Sequence, residues 1–171
     1  MNEASLTSYL FSAEKELLHL LKSRGIHSIC DSISKEISYA WAVTSGFQTL
    51  ANVGNFYYAC AGQVFGHNPA LDFFSAGGMQ LALFALHKFI HNETVLLPVL
   101  ESIRVYTKLH VAGAIDFLAV TDASEILMKC ARFHDNKHNV IEATCQAVGS
   151  LVMNGTEIGQ SLSSRKILTR T

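Results

Sequence analysis

The chain holds eight histidines, and four of them stand in two pairs. His87 and His91 bracket "HKFIH", and His134 and His138 bracket "HDNKH". At i, i+4 on a helix two imidazoles share one face and can present their nitrogens to a single metal ion. This is the alternative reading of the chain: a metal-binding or enzymatic module built on a ridge of histidines. The two pairs occupy equivalent corners of a repeated unit, and such corners lie roughly 10 Å apart by the helix diameter. That is too far for one shared tetrahedral site. Solvated loop histidines are the plainer expectation, with no metal and no cofactor.

Other chemistry finds little support. There is no GxSxG elbow, no Gly-Lys-Ser/Thr phosphate loop, no GxGxxG and no HExxH. "AGG" and "VGN" are turn glycines without the lysine or acidic partner of a nucleotide site. Cys30, Cys60, Cys130 and Cys145 are far apart, form no CxxC pair and sit in apolar runs. They read as buried, reduced thiols rather than as zinc ligands.

The elements that must position these residues are helical. Of 171 residues 49% are apolar and 16% charged, with two prolines, which suits one helical domain with a substantial core. A net charge of -1 without a basic cluster outside the C-terminal "SSRKILTR" argues against nucleic acid as a partner. No apolar run reaches the roughly 18 residues of a membrane span, and the N-terminus has no signal-peptide pattern. A cytoplasmic protein without membrane partners is expected.

Apolar residues recur with helical spacing in three places. The stripes are Tyr39, Val43, Phe47 and Leu50; Val95, Val99, Ile103 and Tyr106; and Val140, Thr144, Val148 and Leu151. A tight turn precedes each of these helices, in "LKSRGIHSI", "FSAGGMQLAL" and "AVTDASEIL". Gly25, Gly77 and Gly78 suit positive φ or close helix approach, and Asp122 or Ser124 is expected to cap the third. The polar "HNET" makes a further corner. The predicted fold is all-α, about eight to ten helices in a short right-handed solenoid with no strands. Its repeats are placed at about 5–52, 53–107 and 108–153, with 154–171 a tail or the start of a further repeat. The charged face of Ala13 to Ser23 suits a cap.

"FFSAGGMQLALFALHKFIHNETVLLPVLESIRVY" resembles the armadillo repeat family, with HEAT-type repeats as the near neighbour, and two degenerate copies extend the resemblance over most of the chain. The resemblance implies three-helix repeats and a concave face lined by the third helices. Peptide-binding members such as the nuclear import adaptors carry a Trp and, four residues on, an Asn on that helix. The matching pairs here are Ser45 and Thr49, Glu101 and Val105, and Gln146 and Ser150. The ladder is absent, so a receptor for nuclear-localisation signals is not expected.

With the stripes assigned to the core, the groove-facing positions are Trp41, Ser45 and Thr49; Leu97, Glu101 and Val105; and Glu142, Gln146 and Ser150. They offer apolar anchors and carboxylates but no basic residue. The expected function is a non-enzymatic scaffold or adaptor binding a helical or extended segment of another protein, with some positive charge. The open C-terminal end is a second place for self-association or for a neighbour to dock.

Overall fold

The computed structural model describes residues 25–59, 68–120 and 122–168, and gives the backbone alone at 116, 119, 120 and 154–168. The expected cap at Ala13 to Ser23, and Cys60, lie outside the described residues. Among the described residues eight helices follow one another: α1 Gly25–Lys35, α2 Ala40–Ala59, α3 Pro69–Ser75, α4 Gly78–Lys88, α5 Glu93–Leu109, α6 Val111–Val120, α7 Ala123–Phe133 and α8 His138–Leu168. No strand occurs among the described residues.

The corners follow from side-chain chemistry. Asn68 accepts the Ala70 N–H and Pro69 opens α3, where its missing N–H loses nothing. At the next corner Gly77 has φ 71°, a conformation that L side chains avoid. Gly78 answers a different constraint: a Cβ there would lie 2.4 Å from the Phe73 ring. Together they let the chain bend by 65° between α3 and α4. Asn92 then opens α5 by accepting the Thr94 N–H.

The third copy is built differently. Asp122 precedes α7 with φ -73° and ψ 30° and makes no side-chain capping bond. That backbone is near-helical, whereas a capping side chain needs an extended residue to reach the free N–H groups. Ser124 lies within α7. The expected cap is therefore not formed.

Three long helices carry the core. Val43, Phe47 and Leu50, then Val95, Val99, Ile103 and Tyr106, are fully buried, and Val140, Thr144 and Leu151 nearly so. Tyr39 departs from its stripe: it precedes α2, and its side chain is 59% exposed. Helix α5 packs against both α2 and α8, while α4 packs against both α1 and α7. Ten residues of α5 are buried, on more than one face, because it has a long neighbour on either side. Close approach of α2 and α5 is set at Gly54, where a Cβ would meet Val105 Cγ1 at 2.5 Å.

Two helices outrun the repeat limits placed from the sequence. Helix α2 continues past residue 52 to Ala59, since Val53 and Gly54 are buried. Helix α8 passes through Met153 and Asn154 to Leu168, so residues expected to form a separate tail share its backbone helix. No single described helix is long and apolar enough to cross a membrane; α3 and α4 together have the composition, but the glycine corner bends them apart.

The corner yields a stability test. Gly78→Ala overpacks Phe73 and is expected to cost about 1–3 kcal/mol. Gly77→Ala is expected to cost about 1–2 kcal/mol through the left-handed backbone. Gly149, whose Cβ would meet nothing within 4 Å, is the control. There alanine is expected to stabilise α8 by about 0.5–1 kcal/mol. Equilibrium urea unfolding of the three variants measures all of these.

Candidate functional site

The groove-facing residues separate once they are placed on the helices. Trp41, Ser45 and Thr49 follow one another by single turns along α2. Trp41 is 69% exposed, Ser45 is exposed and Thr49 half-buried. All three line two open clefts, so they form the crest between them. One cleft, of about 270 Å³, lies toward α1 and includes Ser28, Ser32 and Glu36. The other, of about 510 Å³, reaches Asn92 and Thr94 at the start of α5. Phe56 and Tyr58 lie farther along α2, about 24 Å from Trp41, and do not cover it.

The α5 positions behave otherwise. Val105 is buried against α2 and offers nothing to a partner. Leu97 is half-buried and packs on the core. Glu101 is half-buried, and its carboxylate is already engaged: Arg104 Nε donates to Oε2 at 2.6 Å, and Asn55 Nδ2 donates to Oε1 at 2.8 Å. Arg104 Nη2 also donates to Asn55 Oδ1 at 3.2 Å. Glu101 is thus paired with a basic residue, Arg104, that lies outside the groove-facing set read from the sequence. The i, i+3 spacing of Glu101 and Arg104 was visible in "ESIR"; the third member, Asn55, comes from another helix.

On α8, Glu142 and Gln146 are exposed, and Gln146 Nε2 donates to Glu142 Oε1 at 3.1 Å. Ser150 is buried, with its hydroxyl donating to the Gln146 carbonyl at 2.8 Å. It too leaves the candidate surface. The structure therefore groups Trp41, Ser45 and Thr49, keeps Glu142 and Gln146 exposed on another helix, and removes Val105 and Ser150.

The histidines do not act as a set. His134 is buried, and its Nε2 lies 2.8 Å from the Ile90 carbonyl. A carbonyl only accepts, so that nitrogen carries the proton and donates. The exposed His91 sets its ring edge-on to Phe133, with centroids 4.6 Å apart. His87 and His138 are exposed at helix ends. Among the described residues no three His, Cys, Asp or Glu side chains converge. The same corners are tied by Glu93, which accepts from Asn139 and pairs with Lys137 at 3.5 Å. The Asn139 hydrogen bond, followed by the charge of Lys137, holds the Glu93 carboxyl below its ordinary range.

Two thiols fit the buried reading: burial pushes Cys30 up to about 12 and Cys130 up to about 11. Cys145 does not, because it stands exposed on α8 beside Gln146 rather than under a neighbouring helix. Comparison with protein-family models, with curated proteins and with solved structures finds no match.

The Glu101 network gives a pH dependence. Burial works to raise the Glu101 carboxyl, but hydrogen bonds from Arg104 and Asn55 outweigh it, and the pKa lies below its ordinary 4.5. A depressed folded-state pKa contributes stability that is present above the unfolded value and lost as pH falls through the folded one. Urea midpoints measured downward from pH 7 are expected to hold until about pH 4.5 and then fall. Glu101→Gln should lower the neutral-pH midpoint and make the acid fall shallower. An unchanged acid limb would assign the loss to other carboxylates, Glu93 and Glu125 first.

Proposed function

We propose that this protein is a non-enzymatic interaction module: a short, right-handed, armadillo-like solenoid that binds a segment of another protein on the surface centred on Trp41. The observation that carries this reading is the exposure of Trp41, a large aromatic left in solvent on the crest between two open clefts. Tryptophan is the side chain most enriched where binding energy concentrates, because it brings much apolar area with little rotamer entropy. The helix order supports the solenoid, since α3, α4 and α5 are followed by α6, α7 and α8 in the same order of short, middle and long. Each middle and long helix packs on its counterpart in the neighbouring unit.

The partner is a helical or extended segment with some positive charge. Among the described residues Glu36 and Glu142 carry exposed carboxylates without ion pairs, whereas the charge of Glu101 is balanced by Arg104. Among the same residues phosphates would find no cation in either cleft.

Trp41 is the single tryptophan of the chain, so iodide quenching of its emission reads this surface directly. Quenching close to that of free tryptophan is expected, and weak quenching would mean that the crest is covered. Binding is tested by placing p-benzoylphenylalanine at position 41 and irradiating the protein in cell extract. A control carries the same group at Met128, which is half-exposed on α7. The reading predicts a discrete protein adduct at position 41 that is missing from the control. Adducts at Met128 alone, or at neither position, would overturn it.

A further inference from the structure

We propose that the cleft between α1 and α2 seats an arginine side chain of the partner segment, with its guanidinium against the Trp41 indole and Glu36 as its counter-ion. This rests on the reading of the Trp41 surface as a binding face, and it adds the chemistry of the group bound there.

The polar groups described around the cleft are hydroxyls, two of them with their protons committed elsewhere, and one carboxylate. Ser32 donates its hydroxyl proton to the Ser28 carbonyl at 2.9 Å, and Thr49 donates its own to the Ser45 carbonyl at 2.9 Å. With those protons committed to the helix backbone, both oxygens are left with lone pairs to offer. Among the described residues Glu36 is the one charged residue lining the cleft. It lies exposed just past the end of α1, and its carboxylate makes no ion pair with another described residue. The indole of Trp41 adds a π face, the best of the aromatic surfaces for a cation. The neighbouring Lys35 does not line the cleft, and Lys88 donates to Ser38 at 3.2 Å.

A guanidinium fits this arrangement on three counts. It has five N–H donors and no acceptor, it forks onto a carboxylate, and its plane stacks on an aromatic face. An ammonium shares the charge but has neither the plane nor the fork. A carboxylate or phosphate would meet the like charge of Glu36. A neutral polyol would leave Glu36 without a counter-ion. The size agrees: about 270 Å³ falls just below the roughly 300–1,000 Å³ of pockets for whole small molecules. It suits one side chain entering from a larger partner.

Trp41 again supplies the readout. The full-length protein is titrated with tetra-arginine amide, tetra-lysine amide and tetra-citrulline amide, following tryptophan emission. Citrulline keeps the shape of arginine and removes the charge. A saturable change with tetra-arginine, weaker binding of tetra-lysine and no saturation with tetra-citrulline are expected. Glu36→Gln, at an exposed position and with its fold checked by circular dichroism, should weaken tetra-arginine binding about threefold to fivefold, as for one partly exposed ion pair. Equal titration by tetra-citrulline, equal binding of tetra-lysine, or an unchanged affinity in Glu36→Gln would each overturn the assignment. If tetra-arginine fails while cross-linking at position 41 persists, the arginine seat falls and the binding face stands. Loss of both removes the binding face as well.

Discussion

Helix α5 can occupy the middle of the molecule only because its polar groups find partners on α2. The Tyr106 hydroxyl donates to the Leu50 carbonyl at 3.0 Å, from a side chain that is fully buried. One turn earlier, the buried Ser102 hydroxyl lies 3.0 Å from the Phe47 carbonyl and 2.9 Å from that of Pro98. A helix carbonyl has a second lone pair after its intrahelical bond, and these contacts use it. Without them, each hydroxyl would face an apolar interior, at about 1–3 kcal/mol apiece. Among the described residues, no buried side-chain nitrogen or oxygen is left without a partner.

The same tyrosine ties in the shorter helices. Phe73 of α3 stacks on its ring at 4.1 Å with an interplanar angle of 13°, and Gly78 gives Phe73 its room. The position of α4 therefore follows from that of α5, through one aromatic stack and one missing Cβ. On the far side, His134 donating to Ile90, together with Asn139 and Lys137 on Glu93, fixes the second corner relative to the first. Of the paired histidines, His134 is the one that holds backbone in place. Helix α2, which carries Trp41, is held against the same α5.

Much of this support was legible in the sequence because it is local. Helical spacing identified Val95, Val99, Ile103 and Tyr106, all fully buried. Turn chemistry identified Gly77, at a helix start, and the polar corner "HNET" that leads into α5. The failures occur where a second neighbour intervenes. A periodic stripe assigns one face to the core, but α5 has a long helix on either side, so Val105 is buried too. Ser150 reads as polar surface, yet it satisfies its hydroxyl within α8 and is covered. Glu101 looked like an available charge because Asn55, which completes its network, is distant in sequence. The candidate site was legible to the extent of Trp41 and its two successors on α2. The α1 side of the cleft was not, because Ser28, Ser32 and Glu36 carry no signal until the two helices are side by side.

The paired glycines at the α3–α4 corner differ in how evolution can alter them. At Gly78 the obstacle is the Phe73 ring, so the tolerance of this position depends on what stands at residue 73. A smaller side chain there would open a path to other residues, and the two sites are epistatic. At Gly77 the obstacle is the residue's own backbone, with Gln80 Oε1 the nearest outside atom at an unstrained 3.8 Å. No change elsewhere relieves a conflict between a Cβ and its own carbonyl. Adjacent in sequence and identical in type, the two positions face different routes of descent: Gly78 can change in company with its neighbour, and Gly77 only by rebuilding the turn.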